Sequence, residues 1–275
     1  MSSGLRALQS RHEAWRSFRD IAHATRSLAA TRRARWAAHA ERAGEHLAWV
    51  HALAELVREE EAPRPLVLCG IGSDLGFCGR LNHLVAAELE RAFAELRPVR
   101  ALAIGGRLHE ALPPRLASAC HLEHAPASPA AVLELAERLE LELATISRGD
   151  THLVVVAAAR QEGGVAEVER EGALPASLQP QLERIQATLP AERRLLSDFR
   201  QEGAQVHSLR RHARLAFTFC RAQAVESALR WAVMNRAHEG AERRLAEQEV
   251  QLRRLRQEQI TQEMLDVLGG RAKTP

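Results

Sequence analysis

The sequence predicts an α/β fold in which a sheet domain is inserted between two long terminal helices. Two observations support this prediction. Proline is absent from Leu5 to Glu61 and again from Ala191 to Thr274, so nothing in either terminal part forces a helix to stop. Between them, short apolar runs alternate with helical patterns, which is typical of a mainly parallel sheet.

The C-terminal helix is predicted to be far longer than a compact domain needs. Between Gly203 and Gly269 the only glycine is Gly240. About 65 residues at roughly 1.5 Å each would give a rod of about 100 Å. Its apolar positions fall mostly at steps of three, four or their sums: Val225, Leu229, Ala232, Ala241, Leu245, Leu252 and Leu255. Such a narrow stripe requires a partner helix.

The N-terminal helix supplies that partner, because its own apolar positions recur at helical spacing. They are Leu8, Trp15, Phe18, Ala22, Thr25, Leu28, Leu47, Val50, Ala54 and Val57. Pro63 and Pro65 should end this helix. The two helices can then pair as an antiparallel coiled coil, with Trp15, Phe18, Trp36 and Trp231 as contacts along it or with the inserted domain.

The inserted segment reads as alternating strands and helices. Strands are expected at 66–72, 99–104, 120–124 and 152–157, with helices at 79–96, 106–117 and 129–146 between them. An edge strand should follow Gly163-Gly164 at 165–169, and Leu174-Pro175 and Pro180 should form a loop. We therefore expect an N-terminal coiled-coil helix at 1–62, a Rossmann-like α/β domain at 63–190 and a C-terminal coiled-coil helix at 191–275.

Composition limits the classes of protein to which the chain can belong. It has 275 residues, 46% of them hydrophobic, and a net charge of only +3. The four cysteines show no paired spacing, which favours buried reduced thiols and a reducing cytoplasm. No apolar window of about 18 residues and no signal-type apolar segment occurs, so we expect a soluble, non-exported chain without direct membrane insertion.

No motif supports chemistry. The stretch Gly70–Asn82 follows a strand and opens a helix, but its glycines do not match dinucleotide spacing and no Gly-Lys-Ser/Thr follows. Cys120, His121 and His124 lack a fourth metal ligand with suitable spacing. We expect no cofactor, no metal and no catalytic residue.

The basic face of the N-terminal helix leaves two interpretations open. Arg26, Arg32, Arg33 and Arg35 lie close together. They form either a solvated flank or a contact for an acidic protein. Nucleic acid is not expected as a partner, because the acidic residues Glu13, Asp20, Glu41 and Glu45 dilute the positive field.

Two motifs resemble the gamma subunit of F-type ATP synthases, and the resemblance spans essentially the whole chain. The terminal run Arg256–Gly270 matches the family pattern Arg-Gln-x-x-Ile-Thr-x-Glu followed by an apolar stretch and Gly. The central run Ser73–Asn82 resembles Ser-Asp-Arg-Gly-Leu-Cys-Gly-Gly-Phe-Asn, with Leu75 in place of its Arg and Arg80 in place of its second Gly. These departures indicate a divergent member, as from a second ATPase operon.

The resemblance implies a non-catalytic rotor subunit that couples ion-driven rotation to ATP synthesis or hydrolysis. Its implied partners are the alpha and beta subunits of the surrounding hexamer, the epsilon subunit and the membrane ring of c subunits, at the cytoplasmic face of the inner membrane. The implied partner-binding residues are Arg26, Arg32, Arg33, Arg254, Arg256, Gln257, Thr261, Met264 and Leu268.

Two other functions remain open. One is a coiled-coil adaptor of an export-type ATPase, which the predicted sheet disfavours. The other is a nucleotide-binding enzyme with helical arms, which the missing phosphate motif disfavours.

Overall fold

Two long helices flank a sheet domain in the computed structural model, which describes residues 3–56, 65–147, 151–171, 174–189 and 200–271. The first helix, α1, runs over Ser3–Leu56 and the last, α7, over Arg200–Arg271. Between them come β1 (Leu66–Ile71), α2 (Leu81–Leu96), β2 (Arg100–Ile104), α3 (Gly106–Ala111), α4 (Pro114–Ala119), β3 (Cys120–Glu123), α5 (Pro129–Ser147), β4 (His152–Glu162), β5 (Val165–Glu171), a 3₁₀ turn (Ala176–Leu178) and α6 (Gln179–Thr188). The predicted α/β architecture is confirmed.

The sheet has the order β3-β2-β1-β4-β5 in the described part of the chain. Strands β1 to β4 pair in parallel, and β5 pairs with β4 in the antiparallel direction. The turn between β4 and β5 uses Gly163 and Gly164, both at positive φ, as the sequence predicts. The carboxyl ends of β1, β2 and β3 therefore meet at one edge of the sheet.

Both faces of the sheet are covered, which explains why its strands are continuous apolar runs. Alternate residues of β1 point to opposite faces. Cys69 joins a cluster that contains Trp36 of α1 and Phe219 of α7, whose rings meet edge-on at 5.9 Å. Leu68 joins a cluster built largely from α2, α3 and α4. The terminal helices are thus part of the core of this domain.

The chain divides into two compact units, one formed by residues up to Leu28 and from Trp231 onward, the other by Ala29–Arg230. In the first unit, α1 and α7 are antiparallel. The ring of His23 lies 5.5 Å from that of His238, and Arg26 Nη1 donates to Asn235 Oδ1 at 2.9 Å. Later residues of α1 thus meet earlier residues of α7, which confirms the predicted pairing.

The predicted loop around Pro180 is wrong, because this segment forms α6. Pro180 lies in the first turn of that helix, where its missing N–H breaks no hydrogen bond. The expected helix at 106–117 is likewise divided, since α3 ends at Ala111 and α4 begins at Pro114, directly after its N-cap Pro113. Strand β4 is longer than expected because it continues as the first strand of the hairpin. The expected end of the first helix near Pro63 lies outside the described residues.

All four cysteines are buried free thiols. Burial, followed by the proximity of Cys120, raises the pKa of Cys69 to about 12, so this thiol stays protonated at neutral pH. No described helix combines the length and apolar character that a membrane span requires.

Gly105, at the end of β2, occupies a position that only glycine fits. Its φ is +115°, and an added Cβ would lie 2.7 Å from the backbone nitrogen of Ser73. We expect Gly105→Ala to lower the free energy of unfolding by about 2 kcal/mol or more. The backbone strain of a positive φ and the steric overlap of the new Cβ with Ser73 both contribute.

Gly76→Ala is the matched control, since a Cβ there meets nothing within 4 Å. Urea denaturation of the full chain measures both variants. Equal stability of the two variants would contradict the described packing at the sheet edge.

Candidate partner-binding surfaces

The segment from Ser73 to Asn82, which we call the motif loop, connects β1 to α2 and is held by its own side chains. Ser73 Oγ accepts a hydrogen bond from the backbone nitrogen of Leu75 at 3.0 Å. The backbone nitrogen of Ser73 donates to Asn82 Oδ1 at 3.0 Å. Cys78 is buried, and burial followed by the charge of Glu226 raises the pKa of its thiol. The loop therefore has a defined conformation.

A buried ion pair on α7 attaches this loop to the helix. Arg230 Nη2 lies 2.5 Å from Glu226 Oε1, and the two side chains are 7% and 4% exposed. Glu226 also accepts a hydrogen bond from Ser73 Oγ, and Arg230 Nε donates to the carbonyl of Gly76 at 3.0 Å. The motif loop thus supplies partners for the Arg230 guanidinium and for Glu226 Oε1, while Glu226 Oε2 is buried without a hydrogen-bond partner among the described residues.

Asp74 occupies the carboxyl edge of the sheet, where doubly wound proteins bind ligands. Its carboxylate accepts from the backbone nitrogens of Gly106, at 2.5 Å, and Ala125, at 2.8 Å. His124 Nδ1 lies 3.3 Å from the same carboxylate. The amide at the start of α3 thus bonds to a protein carboxylate rather than facing a free phosphate position.

The suggested metal ligands do not converge. Cys120 is buried, His121 lies beside Glu123, and His124 lies beside Asp74. Among the described residues no group of three His, Cys, Asp or Glu side chains could hold a metal ion.

The tip of the motif loop is apolar and exposed. Leu75 and Phe77 are 50% and 67% exposed, whereas Ser73 and Cys78 of the same loop are buried. Phe77 also has a φ of +64°, a conformation that non-glycine residues rarely adopt. Large apolar side chains that a strained loop presents to solvent are typical of a contact surface.

The end of α7 carries most of the predicted partner-binding residues. Arg254 Nε lies 2.9 Å from Glu258 Oε1, and both side chains are more than half exposed. Arg256 and Gln257 are exposed, and the hydroxyl of Thr261 donates to the carbonyl of Gln257 at 2.9 Å. An exposed intrahelical pair contributes only about 0.3–0.5 kcal/mol, so Arg254 can exchange Glu258 for another carboxylate at little cost.

Beyond Gln259 the helix carries several large apolar side chains that are exposed, interspersed with polar ones. Every side chain described from Thr261 to Leu268 is exposed. The large apolar ones, each more than half exposed, are Ile260, Met264, Leu265, Val267 and Leu268. Within the described residues this end of α7 has no helix packed on it, which contrasts with the buried positions of Leu245 and Leu252. An exposed apolar patch of this kind marks a contact surface.

The three arginines predicted on α1 differ in their surroundings. Arg26 is half-buried and bonds to Asn235, so its guanidinium is engaged within the coiled coil. Arg32 is half-buried and Arg33 is exposed. Of the three, Arg33 is the most available to a partner, and the roles of all three remain predictions.

Sequence reasoning missed the Glu226–Arg230 pair. The two residues stand four apart within the apolar stripe that contains Val225 and Leu229. A charged pair of opposite sign inside such a stripe is a signal for a buried ion pair. Its partner Ser73 is 153 residues away in the chain, and no local pattern connects the two.

Arg230→Met should lower the free energy of unfolding by about 3–5 kcal/mol, because it leaves the Glu226 carboxylate buried without its partner. Arg244→Met is the control on the same helix, since Arg244 pairs with Glu247 at more than half exposure and should change stability by less than about 0.5 kcal/mol. Chemical denaturation of the full chain measures both. If Arg230→Met lowered the free energy of unfolding no more than Arg244→Met, the structural role of the buried pair would be contradicted.

Comparison with known proteins agrees with this architecture. The model of the ATP synthase family matches residues 4–272. A rotor chain of the mitochondrial ATP synthase of Euglena gracilis is similar at a TM-score of 0.59 and 12% identity, covering 94% of this chain and 99% of that one. A chain from its OSCP/F1/c-ring assembly reaches a TM-score of 0.62 at 12% identity, covering 98% and 94%.

A central stalk/c-ring chain of the Tetrahymena thermophila mitochondrial ATP synthase has a TM-score of 0.53 at 16% identity, covering 79% of this chain and 99% of that one. No curated protein sequence matches the chain. The family match includes the sheet domain, which favours this family over an export-ATPase adaptor. The chain therefore belongs to the ATP synthase family and is of its gamma-subunit type.

Proposed function

We propose that this chain is the rotor shaft of an F-type ATP synthase. It turns inside a hexamer of alternating alpha and beta subunits and couples ion-driven rotation of a c-subunit ring to ATP synthesis or hydrolysis. One observation carries the proposal: the end of α7, from Arg254 to Leu268, presents guanidinium groups and then apolar side chains to solvent. A surrounding stator would cover both.

The basic part of this end suits acidic loops of the beta subunits. Arg254, Arg256 and Gln257 are exposed within one turn of each other. Guanidinium groups bind carboxylates with two hydrogen bonds, which suits transient, directed contacts. Such contacts are screened over about 10 Å at ordinary salt, so each beta subunit is affected only when this face approaches it. An asymmetric shaft thereby favours a different conformation in each of the otherwise identical beta subunits.

The apolar part suits a bearing. Leu268 offers the stator no hydrogen-bonding group, and Met264 offers only a weakly accepting thioether sulfur. Apolar contacts are non-directional, so the helix can turn against an apolar surface of the stator without breaking specific hydrogen bonds. The polar Thr261 uses its hydroxyl within its own helix, where it does not resist rotation.

We further propose that the subunit performs no chemistry. The polar groups at the carboxyl edge of its sheet are engaged in structure, as Asp74 and Glu226 illustrate. Catalysis then belongs to the hexamer. The epsilon subunit and the c ring are the proposed partners of the sheet domain, which places the chain in a peripheral complex at the cytoplasmic face of the inner membrane.

Arg254→Glu combined with Arg256→Glu should lower the ATPase turnover of the assembled complex about three- to tenfold. The reason is that two exposed contacts of roughly 0.2–1 kcal/mol each become repulsive. Turnover is measured by ATP hydrolysis of the purified complex, with ion pumping followed in vesicles.

Arg115→Glu is the control, since this arginine is exposed on α4 and carries the same charge change away from the end of α7. Unchanged turnover and pumping in the double variant would remove Arg254 and Arg256 from the coupling contacts. An equal loss in the control would point to a general charge effect instead.

A further inference from the structure

A groove between α1 and α6 has a chemical character that the proposed rotor function does not use. It has a volume of about 610 Å³. Arg42, His46 and Trp49 of α1 line one side, and Arg184, Ile185 and Thr188 of α6 line the other. We name this surface the α1–α6 groove.

The groove is a fixed feature of the fold. Ala48 and Ala52 of α1 pack against Leu182 and Ile185 of α6 in a buried apolar cluster, and Ile185 also lines the groove. The side chain of Gln186 also donates to Glu55 Oε2 at 2.5 Å, which ties the two helices at one end. A partner would therefore meet preformed walls and lose little free energy in ordering them.

The α1 side of the groove continues a stripe at coiled-coil spacing. This stripe is spaced by alternating steps of four and three residues, and it consists of Arg35, His39, Arg42, His46, Trp49 and Leu53. Residues at this spacing lie along one face of a helix. The face is basic at its N-terminal end and apolar at its C-terminal end, where Trp49 is 46% and Leu53 38% exposed. A helix that packs here must supply acidic and apolar side chains.

The two arginines of the groove lack a carboxylate partner within the described structure. Arg42 donates to the carbonyl of Ala38 at 3.2 Å and approaches His39 Nδ1 at 3.4 Å. Arg184 donates only to the carbonyl of Pro180, at 3.4 Å. Glu45 also lines the groove, yet it forms no ion pair with either arginine.

The positive charges of two arginines also act on the nearby His39, after the larger effect of burial. Burial, followed by the charges of Arg42 and Arg35, lowers the pKa of His39 from its ordinary value. A compensating carboxylate beside these arginines would oppose that shift. The positive field of the groove is therefore left for an external group to neutralise.

We infer that the α1–α6 groove binds an acidic, amphipathic helix of a partner protein. Its glutamates or aspartates pair with Arg42 and Arg184, and an apolar side chain packs on Trp49. This mode combines a helix in a groove with charge complementarity. The inference is independent of the proposed rotor function, because no residue of the α7 end or the motif loop takes part.

The test uses a fluorescein-labelled peptide of about 20 residues, long enough to become helical, with leucines on one face and glutamates on its flanks. A second peptide carries lysine at every glutamate position. Fluorescence polarisation with the full chain should show saturable binding of the acidic peptide, weakened by salt, and no comparable binding of the basic one.

Arg42→Glu and Arg184→Glu should each weaken this binding about tenfold, because an attraction becomes a repulsion. Trp49→Ala should weaken it through the lost apolar contact. Arg115→Glu, with the same charge change on exposed α4, should leave it unchanged. All four positions are exposed, so the variants should fold, and circular dichroism verifies this.

Three results would overturn the inference. The first is absence of saturable binding, or equal binding of both peptides. The second is an equal loss in the Arg115 variant, which would indicate a non-specific charge effect. The third is tighter binding of a single-stranded oligonucleotide that displaces the peptide and is lost with Arg42→Glu, which would identify the groove as a nucleic-acid site. Since no other subunit is present, failure here leaves the rotor function untouched.

Discussion

The buried ion pair between Glu226 and Arg230 is the interaction on which the organisation of the inserted domain depends. It lies on α7 and is completed by Ser73 and Gly76 of the motif loop, so neither the helix nor the loop satisfies its buried charges alone. Removing charges from water costs several kcal/mol per ion, and the partners on the helix and on the loop together offset part of that cost. The loop conformation and the seating of the sheet edge on α7 are therefore fixed together.

The same edge of the sheet shows how a nucleotide-binding architecture can serve a structural purpose. The topology brings the ends of β1, β2 and β3 to the position where doubly wound proteins bind phosphates. Here Asp74 accepts the amide hydrogens of Gly106 and Ala125, and Gly105 allows the backbone of Ser73 to approach closely. The polar groups of the edge fasten one loop to the next, which agrees with a subunit that transmits force.

Much of the fold follows from the sequence because its signals are local. Proline-free helical stripes predict α1 and α7, and alternating apolar runs predict the parallel strands with small errors at their ends. Pro180 misled the prediction because proline is equally acceptable in a loop and in the first turn of a helix. The bonds of Asp74 and the Glu226–Arg230 contact to Ser73 join residues far apart in the chain, and no periodicity reveals them.

The candidate surfaces were predictable to a similar degree. The exposure of Met264 and Leu268 agrees with an apolar helix end that continues past the last packed position of the stripe. The engagement of Arg26 with Asn235 was not predictable, because it depends on the register between α1 and α7. The positive charge of the α1–α6 groove was not predictable for another reason. The sequence predicted a loop where the structure forms α6, so no groove between two helices was expected.

The central claim is that this chain rotates as the shaft of an ATP-driven complex. Because Cys69, Cys78, Cys120 and Cys220 are buried, a cysteine introduced at exposed Ser118 offers a selective attachment point for a bead. With the hexamer fixed to a surface, ATP should drive stepwise rotation of the bead in one direction. A bead that stays still relative to the hexamer while ATP is hydrolysed would contradict the account.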